Sequence, residues 1–436
     1  MTDEFFSDLR GSTITETVAL LLHVPVCLLL VRATSGGVLN ELICVVAVLL
    51  VCFTVLASHF RLPWTEERLL PPERAAMSAH VLSSALVLLA IATVLHLFSP
   101  RRSQPQPSGA DARPAFITFY RAGMMLATCV AILAVDFTVF PRRFAKTETF
   151  GVSLMDLGVG GFVFSMALVS HQARQQAVPL RRALSAVVPL LTLGVVRLLL
   201  TRGASLDVQS SEYGVHWNFF MTLTTIAVFV ALLRVRVELS ALIGLALLGA
   251  YQLALSRGGL TEYILEHPRS NVLHANKEGL CSWIGYLALY LIGAWCGSWM
   301  LNPRRSRQEL LWRGTMLLAA CWLATWCVSE TVQAPSRRMA NAAYVLLTVA
   351  VNVQTLLLCA VASFVTPSVP LPLIDAINGN QLAVFLVANL ATGAVNLSMR
   401  ARDQSAPVAM AVLVCYTLTV CGAALGLQRT GWKLKL

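Results

Sequence analysis

The stretch VDFTVFPRRFAKTETFG, residues 135–151, lies between two apolar segments and holds both an acid and an amine. Pro141 separates Asp136 from Lys146, and because proline interrupts a helix, a turn could bring the two side chains face to face. In a partly dry pocket a carboxylate can accept the proton of a hydroxyl, while an ammonium stabilises negative charge on an attacked carbonyl. Acyl transfer to an alcohol needs both functions. A structural ion pair closing a helix hairpin would use the same residues, so both interpretations stay open on chemistry alone.

Other polar residues at or near the ends of apolar segments are candidates for substrate binding. They are Arg142, Arg143, Glu148, Asp156, His216, Asn218, His274, Asn276, Lys277, Arg338, Asn389 and Asn396. The adjacent Arg142 and Arg143 present planar forks of donors that suit a phosphate, although arginines at a membrane edge also extend toward lipid head groups. Asp156 needs a partner or a proton, because a lone carboxylate is costly in hydrocarbon.

Each of the remaining candidates has a structural alternative. His216 could carry protons or make an interfacial hydrogen bond. The run HANKEG, residues 274–279, could form a polar rim for sugar or phosphate, or start a helix. Asn389 and Asn396 fall on one face of a helix, where amides bind a ligand or join neighbouring helices.

The elements that carry these residues are predicted to be membrane helices. Apolar residues make up 57% and charged residues 13% of the 436 positions, with a mean hydropathy of +0.70, which excludes a soluble globular protein. We expect one all-α polytopic domain, residues 1–436, with about 13 spans. The predicted spans are 14–32, 38–58, 79–98, 116–138, 152–170, 183–201, 215–233, 237–256, 280–300, 309–328, 341–363, 380–398 and 408–427. The proline-rich segment 366–380 is expected to lack a regular helix.

The polar clusters share one predicted membrane face. The connections after the fourth, sixth, eighth and tenth spans lie on that face, and each carries or adjoins one cluster. The run of amides in the twelfth span leads toward the same side. This coincidence predicts a single polar site that opens to one side of the membrane.

Several classes of function are disfavoured. The net charge of +11 lies mostly in short loops, where anchoring to anionic membrane lipids is favoured over binding of nucleic acid. The eleven cysteines lack metal-ligand spacing, so no metal site is expected. No bound cofactor is expected either. The sequence has no phosphate-binding loop, no HExxH and no GxSxG, which argues against an ATP-driven pump, a zinc protease and a lipase.

The segment VDFTVFPRRFAKTETFGVSLMDLGVGGFVFSMALVS, residues 135–170, resembles the hallmark block of the glucosaminylphosphatidylinositol acyltransferases (PIG-W type). The runs HWNFFMTL, ANKEGLCSWIGYLALYL, SRRMANAAYV and NGNQLAVFLVANLATGAVNLSM are similar to later blocks of that family, in the same order. Little of the first hundred residues matches. The resemblance therefore covers most of the chain from Asp136 onward.

The resemblance implies an enzyme of GPI-anchor biosynthesis in the endoplasmic-reticulum membrane. Its co-substrate would be acyl-CoA, usually palmitoyl-CoA, and its acceptor the inositol ring of glucosaminyl-phosphatidylinositol. The proposed catalytic pair of the family falls on Asp136 and Lys146, and the site is expected to face the lumen.

Two other classes of function fit a bundle with a one-sided polar cluster. A transporter or flippase for a lipid or small polar substrate would move its substrate without forming an acylated product. A noncatalytic scaffold would need the charged stretch only for folding.

Overall fold

Long apolar helices form most of the protein. The computed structural model describes residues 11–34, 37–58, 82–93, 95, 114–203, 210–366 and 369–431. The helices are α1 (Ile14–Leu21), α2 (His23–Ala33), α3 (Val38–Ser58), α4 (Leu82–Thr93), α5 (Ala115–Ala134), α6 (Asp156–Leu168), α7 (Leu180–Ser185), α8 (Val188–Gly203), α9 (Ser210–Tyr213), α10 (Phe219–Leu233), α11 (Val237–Arg257), α12 (Leu260–Glu266), α13 (Val272–Ala275), α14 (Lys277–Met300), α15 (Arg307–Thr331), α16 (Ala342–Val365), α17 (Pro372–Gly379), α18 (Gln381–Ser398) and α19 (Ala406–Thr430). Among these described residues no segment forms a β-strand.

The helices coincide with the predicted spans. Within the described ranges, nine helical segments are long and apolar enough to cross a membrane. In this count α1 and α2 together form one segment, and α7 and α8 together form another. Four more apolar helices, α3, α4, α6 and α10, have shorter apolar stretches within the same ranges. The predicted third span, 79–98, lies partly outside the described residues. The all-α polytopic fold is confirmed, and the number of 13 crossings stays a prediction.

Two apolar helices of the bundle are shorter than a membrane is thick. α6 has 13 residues and α10 has 15, so they are about 20 and 22 Å long, less than the roughly 30 Å of hydrocarbon. Irregular chain precedes each helix on the same face. Such backbone is tolerated at membrane depth where it is buried in protein or lines a wet cavity. Phe144, Thr147 and Ser153 of the first irregular segment are buried, as this rule requires.

A turn between α15 and α16 packs tightly against α14. A Cβ at Gly285 would lie 2.0 Å from the carbonyl oxygen of Ala340, so a larger residue at that position of α14 would push the turn away. Asn341 caps α16 by accepting a hydrogen bond from the amide of Tyr344 at 3.1 Å. These contacts fix Arg337, which precedes the cap, inside the bundle, where its side chain is 5% exposed.

The expectation for segment 366–380 is wrong in one respect. Residues Pro372–Gly379 form α17, because proline is accepted in the first turn of a helix, where its missing N–H has no partner to lose. The buried carboxylate of Glu41 accepts hydrogen bonds from the amides of Leu373 and Ile374 at 3.3 and 3.0 Å. α17 thereby packs inside the bundle and leads directly into α18.

Candidate active site

A chain of four ionisable side chains lies beside the irregular segments that precede α6 and α10. The ammonium of Lys146 donates to both carboxylate oxygens of Glu212, at 2.8 and 2.9 Å. Arg337 donates to Glu212 at 3.2 Å and to Asp156 at 2.9 Å. Three separate segments of the chain, around positions 146, 212 and 337, are thus joined by alternating charges.

Asp156 connects this network to the irregular segment before α6. It accepts hydrogen bonds from the amide and the hydroxyl of Thr147, at 3.1 and 2.9 Å. The hydroxyl of Tyr344 donates to the Asp156 carbonyl at 2.8 Å. Asp156 is 1% exposed, so its predicted need for a partner is met by Arg337 and Thr147. These contacts hold the neighbouring Lys146 in place.

The charges of the network keep Glu212 ionised. Burial alone would raise the pKa of Glu212, but the positive charges of Lys146 and Arg337 outweigh this effect and lower the pKa to about 2. Glu212 therefore remains a carboxylate throughout the physiological pH range. The Glu212 carboxylate lies 2.8 Å from the Lys146 ammonium.

A cavity of about 170 Å³ opens beside the network. Its polar end carries Lys146, Arg197, Glu212 and Tyr213. Most of the remaining lining is apolar and includes Leu21, Met124, Ile132, Leu157, Phe162 and Phe385, with Thr128 and Asn389 as polar members. The lining residues of α5 extend over about 12 Å along the helix axis. The cavity therefore has charged residues at one end and a mainly apolar lining along α5.

Phenylalanine rings from three helices pack together beside the apolar body. The ring centroids of Phe162 and Phe219 are 5.7 Å apart, and those of Phe162 and Phe385 are 5.5 Å apart. Both pairs are edge-to-face, which is a favourable arrangement for aromatic rings. Asn389, one turn after Phe385 on α18, also lines the cavity.

Asp136 lies in the turn after α5, outside the lining of the cavity. Asn396 donates a hydrogen bond to its Oδ2 at 2.8 Å, so the second predicted amide of α18 reaches the predicted base. Burial raises the pKa of Asp136 above its ordinary value, against the opposing effects of Asn396, Arg142 and Lys146. Asp136 and Lys146 thus influence each other through their charges, while the direct partner of Lys146 is Glu212.

Three predicted residues around the turn have other contacts. Arg142 donates to the backbone carbonyl of Val135, and Arg143 pairs with Glu16 of α1 at 3.4 Å. These contacts connect the turn to the end of α5 and to the N-terminal helix. The side chain of Glu148 is exposed. The predicted phosphate-binding roles of Arg142 and Arg143 stay predictions.

His216, Asn218 and Asn276 support the irregular chain before α10. Asn276 Oδ1 accepts hydrogen bonds from the amide of His216 at 2.7 Å and from that of Trp217 at 3.0 Å. Asn218 caps α10 by accepting from the amides of Phe220 and Met221, at 3.1 and 3.2 Å. Both asparagines therefore help to place Glu212 and Tyr213, which precede them.

A second cluster of charges surrounds Glu278 at the start of α14. Arg269 and Arg338 donate to the same carboxylate oxygen at 2.6 and 2.7 Å. Lys277 donates to the carbonyl of His267, and His274 bonds to Ser270 at 2.8 Å. The predicted residues Lys277, Arg338 and His274 thus lie near one another, around a carboxylate that is fully buried.

Sequence reasoning left three charged residues of the cavity region out of the predicted site. Glu212 and Arg337 lie within polar runs that were singled out, but nothing in the runs indicates which member points inward. Arg197 is a lone cation inside a predicted span, and a charge in that position by default marks a functional site. That rule was the available signal for Arg197.

Cysteine and histidine do not assemble a metal centre in the part of the chain that the structure describes. No group of three or more His, Cys, Asp or Glu residues is placed there to hold an ion. The eleven cysteines are free thiols, most of them buried among apolar side chains.

Comparison with known proteins gives the family. Residues 1–427 match the model of the GWT1 family. The phosphatidylinositol-glycan biosynthesis class W protein of Dictyostelium discoideum is 38% identical over 359 residues, covering 71% of this chain and 73% of that protein. The GPI-anchored wall transfer protein 1 of Aspergillus oryzae is 38% identical over 385 residues, covering 78% and 77%. The same-named protein of Candida albicans is 34% identical over 371 residues, covering 74% and 76%. The resemblance found in the sequence is confirmed, and the chain belongs to the GWT1 family of membrane proteins of GPI-anchor biosynthesis.

Proposed function

We propose that this protein is an integral-membrane O-acyltransferase of the endoplasmic reticulum. It transfers a fatty acyl group, usually palmitoyl, from acyl-CoA to an inositol hydroxyl of glucosaminyl-phosphatidylinositol. The observation that carries this proposal is the cavity, in which an apolar body suited to a fatty chain meets the ammonium of Lys146. The names of the relatives refer to phosphatidylinositol-glycan biosynthesis and to GPI-anchored wall transfer, which supports a role in the same pathway.

Asp136 is the general base of the proposed reaction. Its raised pKa makes it a stronger proton acceptor than an ordinary aspartate, and the Asn396 hydrogen bond fixes the orientation of its carboxylate. The inositol oxygen attacks the carbonyl carbon of the thioester while Asp136 takes the hydroxyl proton. The C–S bond then breaks, and the proton passes to the departing CoA thiolate.

Lys146 stabilises the negative charge that develops on the thioester oxygen. Its ion pair with Glu212 holds the ammonium oriented before the substrate arrives, so little reorganisation is needed in the transition state. The network of Arg337 and Asp156 holds Glu212 and the irregular segment in place. In this scheme acyl-CoA is a co-substrate, and no bound cofactor takes part.

Acylation by the purified protein is the direct test. Full-length protein in nanodiscs, given labelled palmitoyl-CoA and glucosaminyl-phosphatidylinositol, should form acylated glycolipid, and D136N and K146M should each lower kcat by about 10²–10⁴-fold. E238Q removes an exposed carboxylate of α11 and serves as the control, with unchanged activity. A wild-type protein that moves the glycolipid between leaflets without acylating it would establish the transporter alternative instead.

A further inference from the structure

The cavity has a far end, which lies opposite Lys146. Lys146 belongs to the segment that connects α5 to α6, so both helices have one end at the polar end of the cavity. Of the lining residues, Met124 on α5 and Phe162 on α6 lie furthest along their helices from this segment. Met124 is ten residues before the end of α5, which corresponds to about 15 Å along the helix axis. The far end of the cavity is therefore about three helical turns away from the polar end.

Side chains from three helices meet at the far end. The ring of Phe162 packs edge-to-face on that of Phe385 of α18, with the centroids 5.5 Å apart. A Cβ at Gly161 would lie 2.7 Å from Cε of Met124, so this methionine of α5 packs directly against α6. Met124, Phe162 and Phe385, which we call the end wall, all line the cavity. Additional methylene groups enter such a closely packed wall only at a cost in free energy.

A polar layer lies one helical turn beyond the end wall. The Arg121 guanidinium donates to the Ser165 hydroxyl at 3.2 Å and to Oε1 of Gln381 at 2.5 Å. Gln381 donates in return to the Arg121 carbonyl at 3.1 Å. Each of these residues is three or four positions from the end-wall residue of its own helix and shares its face. The layer therefore connects α5, α6 and α18 behind the end wall. An alkyl chain that passed the wall would have to separate these hydrogen-bonded groups.

We propose that the end wall limits the length of the acyl chain that the enzyme accepts. This proposal rests on the proposed function, in which the thioester lies at Lys146 and the fatty chain occupies the apolar part of the cavity. A chain bound in this way runs along α5, and its terminal methyl group contacts the end wall. A longer chain would have to displace the two rings or disturb the polar layer. Phe162 is thus a specificity residue for the acyl donor and takes no part in the chemical step.

Acyl donors of increasing length test the end wall. Full-length protein in nanodiscs is given glucosaminyl-phosphatidylinositol with lauroyl-, palmitoyl- or arachidoyl-CoA, and the kcat/KM values of the donors are compared. For the wild type, kcat/KM should be about 10- to 100-fold lower with arachidoyl-CoA than with palmitoyl-CoA. F162A removes the ring, so the ratio of arachidoyl to palmitoyl transfer should rise about 10-fold. L242A truncates a side chain of α11 that is 66% exposed, and it should keep the ratio of the wild type.

A glycine between the polar end and the end wall allows a change in the opposite direction. Gly158 lines the cavity one turn before Phe162, and a Cβ there would meet only Thr128, at 3.8 Å. The leucine side chain of G158L should therefore fill the cavity above the end wall. The ratio of lauroyl to palmitoyl transfer should rise about 10-fold in this variant. Unchanged ratios in folded, active F162A and G158L would overturn the proposal.

Photo-cross-linking locates the end of the chain in the unaltered protein. A palmitoyl-CoA analogue with a diazirine on its terminal carbon is bound to the full-length protein and irradiated, and the labelled peptides are identified by mass spectrometry. The label should fall on the end wall, and unlabelled palmitoyl-CoA should compete with it. Label found only on an outward-facing helix such as α11 would overturn the proposal. A protein that is labelled at the end wall but forms no acylated glycolipid would refute the proposed function and retain the binding site for the chain.

Discussion

Two glutamates, Glu212 and Glu278, are each held by two cations on the same side of the bundle, but their surroundings differ. Glu212 binds Lys146 and Arg337, and its side chain is 16% exposed at the wall of the cavity. Glu278 binds Arg269 and Arg338, and its side chain is 0% exposed and lies outside the cavity lining. The ion pairs are alike in length, so access to a substrate is what distinguishes the two.

The difference shows why charge in a membrane protein has to be judged by its surroundings. A carboxylate enclosed by arginines stabilises the junction of the segments that supply them, and a substrate cannot reach it. A carboxylate at a cavity wall can hold a neighbouring cation in an orientation that serves a reaction. We therefore expect substitutions of Glu278 to affect folding and substitutions of Glu212 to affect activity.

The largest expected effect is the loss of stability in E278Q. The substitution leaves Arg269 and Arg338 close together without a carboxylate, which should lower the free energy of unfolding by about 3–5 kcal/mol. This change is measured by unfolding the protein in mixed micelles with an increasing fraction of a denaturing detergent. In contrast, E309Q breaks exposed pairs of α15 and should cost about 0–1 kcal/mol. Folded E278Q should retain the kcat of the wild type. A loss of kcat without a loss of stability would contradict the proposed distinction between the two clusters.

The next effect is the loss of activity in E212Q. Without the carboxylate, Lys146 loses its orienting partner and remains near the positive Arg337, so kcat should fall by about 10²-fold. The loss of stability should be smaller than for E278Q, because Asp156 still pairs with Arg337 and the Glu212 side chain is partly exposed. Acylation rates and detergent unfolding of the same preparations check both statements. An active but unstable E212Q would show that Glu212 serves the fold alone.

Much of the fold was predictable because charge is rare in this chain and hydropathy locates the spans. The short helices were less predictable at their starts: the spans expected from 152 and 215 begin as helices at Asp156 and Phe219. Hydropathy does not detect that the preceding residues form irregular backbone held by Thr147 and Asn218. Residues of these irregular segments, such as Lys146, Leu154 and Met155 before α6, line the cavity of the candidate site.

The members of the site were easier to predict than their partners. Lys146 and Asp156 stood out as charges beside apolar spans, but their partners lie far away in sequence, at Glu212 and Arg337. A local argument from Pro141 suggested that Asp136 and Lys146 face each other. Such long-range pairings depend on helix packing, which a single sequence does not specify.

The smallest expected effect concerns the pH dependence of activity, and it separates Asp136 from Glu212. The Asn396 hydrogen bond favours the ionised form of Asp136, so N396A should raise the pKa of this aspartate further. A general base must be deprotonated. Because of the higher pKa, a smaller fraction of Asp136 would be deprotonated at a given acidic pH. The acid limb of kcat/KM should therefore move to higher pH in N396A, with little change on the plateau.

Glu212 does not produce this limb, because its pKa of about 2 keeps it ionised across the range in which the enzyme can be assayed. S398A, which removes a hydroxyl bonded to the backbone near the same end of α18, should leave the limb in place. A full pH profile of kcat/KM for wild type, N396A and S398A decides the matter. If the acid limb of N396A lies at the same pH as that of the wild type, the titrating group is a residue other than Asp136. Another residue near the cavity would then be the proton acceptor.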